Sequence, residues 1–364
     1  MTRQLPDFPW DVLAPYAERA AEYAGGRIDL SVGTPVDPTP LVVQQALAAA
    51  ANAPGYPPTA GIAPLRAACT RWLRRRLGVE VPDDAVLPTI GTKEFVGALP
   101  TLLGLGPQSR VAIPAIAYPT YAVGAAMVGA RTVPTDEPEQ VSDAQLIWLN
   151  SPSNPTGRVL TPPDMRQIVT RARQQGTLVA SDECYIELGW ESEPVSLLHP
   201  SVTGGDLGGV LALFSLSKRS NLAGYRFGFA AGDPAVIAEL LATRKHLGMM
   251  VPMPVQQAAI AALDDDEHVL RQRERYASRR TILRAALDGA GFRIDHSEAG
   301  LYLWVTRGEP CWQTVDWFAD RGIVVTPGQF YGERGADHVR IALTCSDDDA
   351  LQFAARLSPA APAD

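Results

Sequence analysis

The sequence predicts an α/β fold: a large domain on a mainly parallel seven-stranded sheet flanked by helices, joined to a smaller α+β domain. Three observations lead there. Seven short runs in the first two-thirds of the chain are almost wholly apolar, as strands buried on both faces must be, and helical patterns recur between them. A long Arg/Glu-rich helical tract then breaks the alternation. The chain has 364 residues, 46% hydrophobic and 20% charged, which supports a core of this size and excludes disordered and fibrous classes.

Residues 1–38, with Pro6, Pro9, Pro15, Gly25, Gly26, Pro35 and Pro38, read as an arm with one short helix around Pro15 to Tyr23, packing on the small domain. Residues 39–254 form the large domain. Thr39-Pro40 offers an N-cap and a first-turn proline for an Ala-rich helix running to Asn52, and a second helix from Ala63 to Leu77 stops at Gly78. The loop between them, Gly55 to Gly61, is Pro-rich, hence rigid and exposed. The seven strands are Ala85 to Ile90, Arg110 to Ile113, Arg131 to Pro134, Leu146 to Leu149, Thr177 to Ala180, Val210 to Phe214 and Phe227 to Ala230, with helices from Thr92, Tyr118 and Pro162. The last two strands lack a helix between them, so one of them runs antiparallel. Residues 255–364 comprise a linking helix, Val255 to Leu287, and the small domain: strands at Phe292 to Ile294, Leu301 to Val305, Ile323 to Val325 and Val339 to Leu343, helices at Trp312 to Asp320 and Ser346 to Leu357.

Thirty-two basic against forty acidic side chains give a net charge of -8, with no Lys/Arg stripe interleaved with aromatics, which argues against nucleic acid. No apolar run is long enough to span a membrane, and Asp7, Asp11 and Glu18 occupy the place of a basic leader, so a cytoplasmic location away from membranes is expected. Cys69, Cys184, Cys311 and Cys345 are far apart and make no metal spacing with the five histidines, so neither disulfides nor a metal site are expected.

Four segments carry chemistry. Ser215-Leu216-Ser217-Lys218 follows a buried strand, with Arg226 eight residues on. A lone lysine is most often a solvated charge, but strand ends of open parallel sheets bind ligands, and two hydroxyls with a planar cation suit a phosphate. Ser151-Pro152-Ser153-Asn154-Pro155-Thr156-Gly157 is turn chemistry that also aims Asn154 into the crevice. Ser181-Asp182-Glu183-Cys184-Tyr185 sets a carboxylate, then a phenol, at the sheet rim, where a lone Asp would usually be a helix cap. Gly91-Thr92-Lys93 opens a helix whose free N–H groups can hold an anion.

In this order and spacing, S-P-x-N-P-T-G, S-D-E-x-Y and S-x-S-K with its later Arg resemble the fold type I pyridoxal-phosphate aminotransferases of class I/II, with their aspartate aminotransferase-like fold. The resemblance covers almost the whole chain. It implies that Lys218 holds the cofactor aldehyde and moves the substrate proton, that Asp182 keeps the pyridine nitrogen protonated, and that Asn154 and Tyr185 serve the ring hydroxyl. It places Gly91, Thr92, Lys93, Ser215, Ser217 and Arg226 around the phosphate, Tyr118 on the ring face, and Tyr56 at the neighbouring subunit's phosphate, hence a homodimer with shared sites. Arg340, in Val339-Arg340-Ile341, is implied to grip the substrate α-carboxylate beside Gly33 and Asn154. Pro9-Trp10-Asp11, Leu30 to Pro38, Ser217 to Tyr225, Arg244 to Pro252 and Ser297 to Trp304 are similar to the N-succinyl-diaminopimelate aminotransferases of bacterial lysine biosynthesis. That resemblance implies a reaction between glutamate and N-succinyl-2-amino-6-oxopimelate, with Arg244, Lys245, Glu298 and Tyr302 as residues that could meet the distal end of the substrate. The cofactor residues leave open another amino acid, or β-elimination and C–S lysis on the same fold. A DNA-binding regulator would need a further module that residues 1–38 are too short to form, and no strand is followed by the G-x-G-x-x-G of a dinucleotide site.

Overall fold

Every residue of Leu146–Asn150, Leu178–Asp182 and Val210–Ser215 is buried, as strands sandwiched between two helical layers must be. The computed structural model describes residues 9–358, so Pro6 and Asp7 lie outside the described residues. The chain enters through a 3-10 turn at Pro9–Leu13 and α1 (Ala14–Ala21). β1 (Ile28–Asp29) then pairs in parallel with Ile323–Val324 of the C-terminal region.

The large domain begins with α2 (Leu41–Ala49) and α3 (Ala63–Leu77), the latter closed by a left-handed Gly78. The expected cap at Thr39 is not formed: Pro40 stands at the cap position, and the Thr39 hydroxyl instead donates to the Asn221 carbonyl at 3.0 Å. The sheet and its helices follow as β2 (Val86–Thr89), α4 (Thr92–Leu102), β3 (Arg110–Pro114), α5 (Thr120–Met127), β4 (Arg131–Thr135), β5 (Leu146–Asn150), α6 (Pro162–Gln175), β6 (Leu178–Asp182), α7 (Pro200–Thr203), β7 (Val210–Ser215), α8 (Leu216–Arg219), β8 (Gly228–Gly232) and α9 (Pro234–Leu247). The helix expected from Tyr118 starts at Thr120, which leaves Tyr118 free of the helix and at the rim of the sheet.

The strand order is β2-β8-β7-β6-β5-β3-β4; β8 runs antiparallel to both its neighbours and every other pairing is parallel. One face is covered by a core containing Trp72, Ile168 and Phe214, the other by a core containing Phe95, Tyr121 and Leu240. The parallel strands β5, β6 and β7 therefore end side by side, and the chemistry-bearing turns leave from that edge.

The tract expected as one linking helix is two. α10 (Met253–Asp264) packs against α2 and α3 in the core of the large domain, and α11 (Glu267–Gly289) packs against the C-terminal helix. The break falls at Asp264-Asp265-Asp266, because carboxylates oppose the negative end of one helix and favour the positive end of the next; Asp265 takes an extended conformation and accepts from the Glu267 N–H at 2.9 Å. Ala258, Ala259, Ala262 and Leu263 of α10 belong to the core of the large domain, while Tyr276, Leu283 and Leu287 of α11 belong to that of the C-terminal region. The remaining elements are β9 (Arg293–Asp295), β10 (Tyr302–Thr306), α12 (Cys311–Ala319), β11 (Ile323–Val324), β12 (Thr326–Pro327), β13 (Val339–Ala342) and α13 (Asp347–Leu357). They form an antiparallel sheet, β12-β13-β10-β9, over a core that also takes in Leu13, Ile28 and Leu30 of the N-terminal arm. Among the described residues no helix is long and apolar enough to cross a membrane, and no cluster of His, Cys, Asp or Glu could hold a metal ion.

Candidate active site

A cleft of about 400 Å³ opens where the ends of β5, β6 and β7 meet β10 and β13. Its large-domain wall carries Asp182 at the last position of β6, Ser215 at the last position of β7, and Lys218 in the short helix that follows. Asn154 comes from the proline-rich turn after β5, and Tyr185 from the turn after β6. The small domain contributes Tyr302 and Arg340 from the neighbouring strands β10 and β13, where Tyr302 stands opposite Ala342 and Arg340 opposite Trp304, and the arm contributes Gly33.

One end of the cleft has the makings of an anion cradle. Gly91 caps α4 at φ 70° and ψ 162°, a conformation open essentially to glycine, and Thr92 and Lys93 open the helix into the cleft. Gly91 itself does not line the cleft; a Cβ there would lie 2.3 Å from Nη2 of Arg226. Its missing side chain is the room in which the Arg226 guanidinium sits. Ser215 and Ser217 complete the cradle, with the Ser215 hydroxyl accepting from the Ser217 N–H at 3.1 Å.

The floor is a buried carboxylate. Asp182 Oδ2 accepts from the Tyr121 hydroxyl at 3.1 Å and Oδ1 from the Cys184 N–H at 3.2 Å. Burial pushes its pKa up, against these hydrogen bonds, which hold it down. Tyr121 is in turn stacked on Trp148 at 5.0 Å, so the donor is fixed by packing. Above this floor, burial brings the Lys218 ammonium down to about 8; the Cys184 thiol opposes the shift and the Arg340 and Arg226 guanidiniums add to it. An amine so poised exchanges protons near neutrality. Its Nζ donates to the Gly33 carbonyl.

Arg340 is 2% exposed. Its Nη1 donates to Asn154 Oδ1 at 2.9 Å and its Nη2 to the Ser31 carbonyl, and the guanidinium lies 4.0 Å from the centre of the Tyr302 ring and 5.2 Å from that of Tyr331. Among the described residues its hydrogen bonds go to Asn154, Ser31 and Thr326 and to no carboxylate, and its Nε has no partner. A buried cation without a counter-charge is costly unless a ligand supplies one. Accepting through Oδ1 also leaves the Nδ2 of Asn154 as a donor.

Of the residues singled out in the sequence, the cleft gathers Gly33, Thr92, Lys93, Tyr118, Asn154, Asp182, Tyr185, Ser215, Ser217, Lys218, Arg226 and Arg340. Tyr56 is not among them: at 96% exposure it projects from this chain. Three of the four residues considered for the distal end of a substrate are elsewhere. Arg244 is fully buried, paired with Glu94 at 3.1 Å and laid over Phe95, and neither Lys245 nor Glu298 lines the cleft; Tyr302 does. Sequence reasoning gave no role to Trp10, Val32 and Cys184, which also line it. Cys184 could have been found from its place between Asp182 and Tyr185; Trp10 and Val32 reach the cleft only through the course of the arm.

The family model for aminotransferase class I and II matches residues 26–357. Over 358 residues the chain is 57% identical to the 4-dedimethylamino-4-oxo-anhydrotetracycline transaminase OxyQ of Streptomyces rimosus, covering 98% of this chain and 100% of the relative. It is 56% identical to a probable aminotransferase of Mycobacterium tuberculosis over 361 residues, 98% of this chain and 86% of the relative. The solved structure of a probable N-succinyldiaminopimelate aminotransferase from Thermus thermophilus superposes with a TM-score of 0.87 at 29% identity, covering 96% of this chain and 99% of that one. The chain belongs to the class I and II aminotransferases. That family depends on pyridoxal phosphate, and the residues present fit the group: an anion cradle emptied of a side chain at Gly91, a buried carboxylate, and a buried lysine with a lowered pKa.

Proposed function

We propose that this cleft transfers an amino group between an amino acid and an oxo-acid, each held by its α-carboxylate on Arg340. The observation that carries the reading is the buried Arg340 guanidinium, without a carboxylate partner among the described residues, in the same cleft as Lys218. Pyridoxal phosphate, when bound, supplies an aldehyde and a ring that accepts the electron pair left when a Cα–H bond breaks. Around it, Thr92, Lys93, Ser215, Ser217 and Arg226 bind the phosphate. Asp182 would hold a proton on the ring nitrogen, Nδ2 of Asn154 and the hydroxyl of Tyr185 would serve as donors to the ring oxygen, and Tyr118 would cover the ring. Bidentate capture by Arg340 fixes the substrate so that one Cα–H bond stands where Lys218 Nζ can take its proton and later return it. The carbonyls of Gly33 and Ser31, which Lys218 and Arg340 meet in this structure, give way to substrate.

For the substrates, the reading is glutamate as donor and N-succinyl-2-amino-6-oxopimelate as acceptor, the chemistry of lysine and diaminopimelate biosynthesis. It is supported by the sequence segments quoted above and by the likeness to the Thermus protein. A second acceptor, a ketone on a polycyclic scaffold, is favoured by the 57% identity to OxyQ and by the apolar Trp10 and Val32 at the cleft, where Arg244 is not present to meet a second carboxylate. A coupled assay with glutamate and a panel of oxo-acids and ketones decides between them through kcat/KM. Failure to form 2-oxoglutarate from glutamate, together with release of pyruvate and ammonia from an amino acid bearing a leaving group on Cβ, such as cysteine, would overturn transfer itself.

The same reading makes the protein a homodimer. Tyr56 is almost wholly exposed, together with Leu41 on α2 and Val36 on the arm, and such side chains gain from burial against a second copy. In that assembly Tyr56 completes the phosphate cradle of the other subunit.

A further inference from the structure

Tyr302 is the one residue considered for the distal end of the substrate that does line the cleft, and its surroundings give it a different task. Its hydroxyl lies 3.0 Å from that of Tyr185, with the rings edge-on at 5.6 Å. Its ring face carries the Arg340 guanidinium at 4.0 Å. Its hydroxyl also fills the space a side chain at residue 33 would need, since a Cβ on Gly33 would lie 2.3 Å from it. The ring is held at one face and at its hydroxyl end, and the hydroxyl has one phenol to address.

We infer that Tyr302 is a positioning residue that donates its hydroxyl proton to Tyr185, so that Tyr185 keeps its own proton for the oxygen of the bound ring. The inference rests on the reading of Tyr185 given above. Two hydroxyls 3.0 Å apart share one hydrogen bond, and either can be the donor. If Tyr185 donated to Tyr302, its proton would be spent inside the wall. If Tyr302 donates, the Tyr185 oxygen accepts and its O–H is free to point into the cleft, and each bond of such a chain polarises the next. The charged and titratable groups facing this pair are Arg340 on β13, Asp182 at the end of β6 with Cys184 in the turn that follows, Tyr118 before α5, Tyr276 on α11, and Tyr331. Among them only Arg340 is a cation, and it sits against the Tyr302 ring face. Tyr302 therefore joins two tasks, carrying the carboxylate anchor on its face and ordering the ring-oxygen donor with its hydroxyl.

Two substitutions separate these tasks. Tyr302→Phe keeps the face and removes the hydroxyl. A donor to the ring oxygen favours its anion, so weakening that donor raises the pH midpoint of the visible absorption band of the holoprotein. The expected rise is ~0.5–1 pH unit, from the usual strength of one neutral hydrogen bond. Tyr185→Phe should raise it further, and adding Tyr302→Phe to Tyr185→Phe should then move nothing, because the effect passes through Tyr185. Tyr302→Leu removes the face as well and should raise the KM for glutamate by roughly 3- to 30-fold, where Tyr302→Phe changes it by less than about twofold. A Tyr302→Phe midpoint equal to wild type while Tyr185→Phe shifts it would overturn the inference alone. So would an undiminished shift in the Tyr185→Phe background. If Tyr185→Phe itself leaves the midpoint in place, the role given to Tyr185 falls and the inference falls with it.

Discussion

Replacing Gly91 by alanine tests the anion cradle through one carbon atom. At φ 70° and ψ 162° the backbone lies where an L-residue costs about 1–3 kcal/mol, so the apoprotein should lose stability by that order. The new Cβ would also lie 2.3 Å from Nη2 and 2.8 Å from Cζ of Arg226. Backbone does not yield there, but the end of a long side chain does, so the guanidinium should swing out of the cradle. A hydrogen bond to a charged group contributes about 1.5–3 kcal/mol, and losing it should weaken pyridoxal phosphate binding roughly 10- to 150-fold. Equilibrium dialysis of the cofactor against apoprotein reads the affinity, and thermal unfolding of the apoprotein reads the strain. Arg226→Ala should match the affinity loss without the same loss of Tm. An affinity within about threefold of wild type would refute the placement of Arg226 at the phosphate. An unchanged Tm would refute the strain.

The other predictions concern the lysine, the floor and the partner subunit. Borohydride reduction followed by peptide mapping should find the cofactor fixed on Lys218, and Lys218→Ala should retain cofactor through the phosphate cradle while losing about 10²- to 10⁴-fold or more in turnover; label on another lysine would overturn the assignment. Burial lowers the folded-state pKa of Lys218 from 10.5 to about 8, so the folded apoprotein binds fewer protons than the unfolded chain between those values, and the burial penalty is full below pH 8 and fades as pH rises toward 10.5. The stability of apo Lys218→Met relative to wild type should accordingly be highest at neutral pH and decline in alkali, as urea unfolding at several pH values would show; a pH-independent difference would contradict the burial. Asp182→Asn should keep the fold, since the amide oxygen can still accept from the Cys184 N–H while the Nδ2 donates to the Tyr121 hydroxyl, yet slow the first half-reaction with glutamate by orders of magnitude in stopped-flow; wild-type rates would remove its role. Mixing inactive Tyr56→Ala and Lys218→Ala chains should regenerate activity only in heterodimers, and demonstrable heterodimers without activity would end the shared-site reading.

Much of this molecule was legible one-dimensionally because its strands are buried on both faces. Such strands are apolar throughout, so their runs stand out, and the lack of a crossover helix between the last two strands, where the structure has only the four-residue α8, pointed to an antiparallel course for one of them. The site was legible for the same reason: in a parallel sheet the residues that close each strand share one edge, so Asp182, Ser215 and Lys218 could be brought together from their places after apolar runs. What the sequence could not determine were contacts whose partners are distant along the chain and have no periodic signature. Arg244 is indistinguishable from a surface cation until α9 and α4 bring it to Glu94, and Thr39 looks like a cap until Asn221 arrives to accept its proton. The meeting of the Ser31 carbonyl with Arg340, of Gly33 with Lys218, and of the Tyr185 and Tyr302 hydroxyls joins the arm and two domains. Those contacts depend on how the two cores dock. Local propensity and burial pattern fixed the elements, and only the tertiary packing decided which charges are neutralised by the protein and which, like Arg340 among the described residues, are buried without a carboxylate partner.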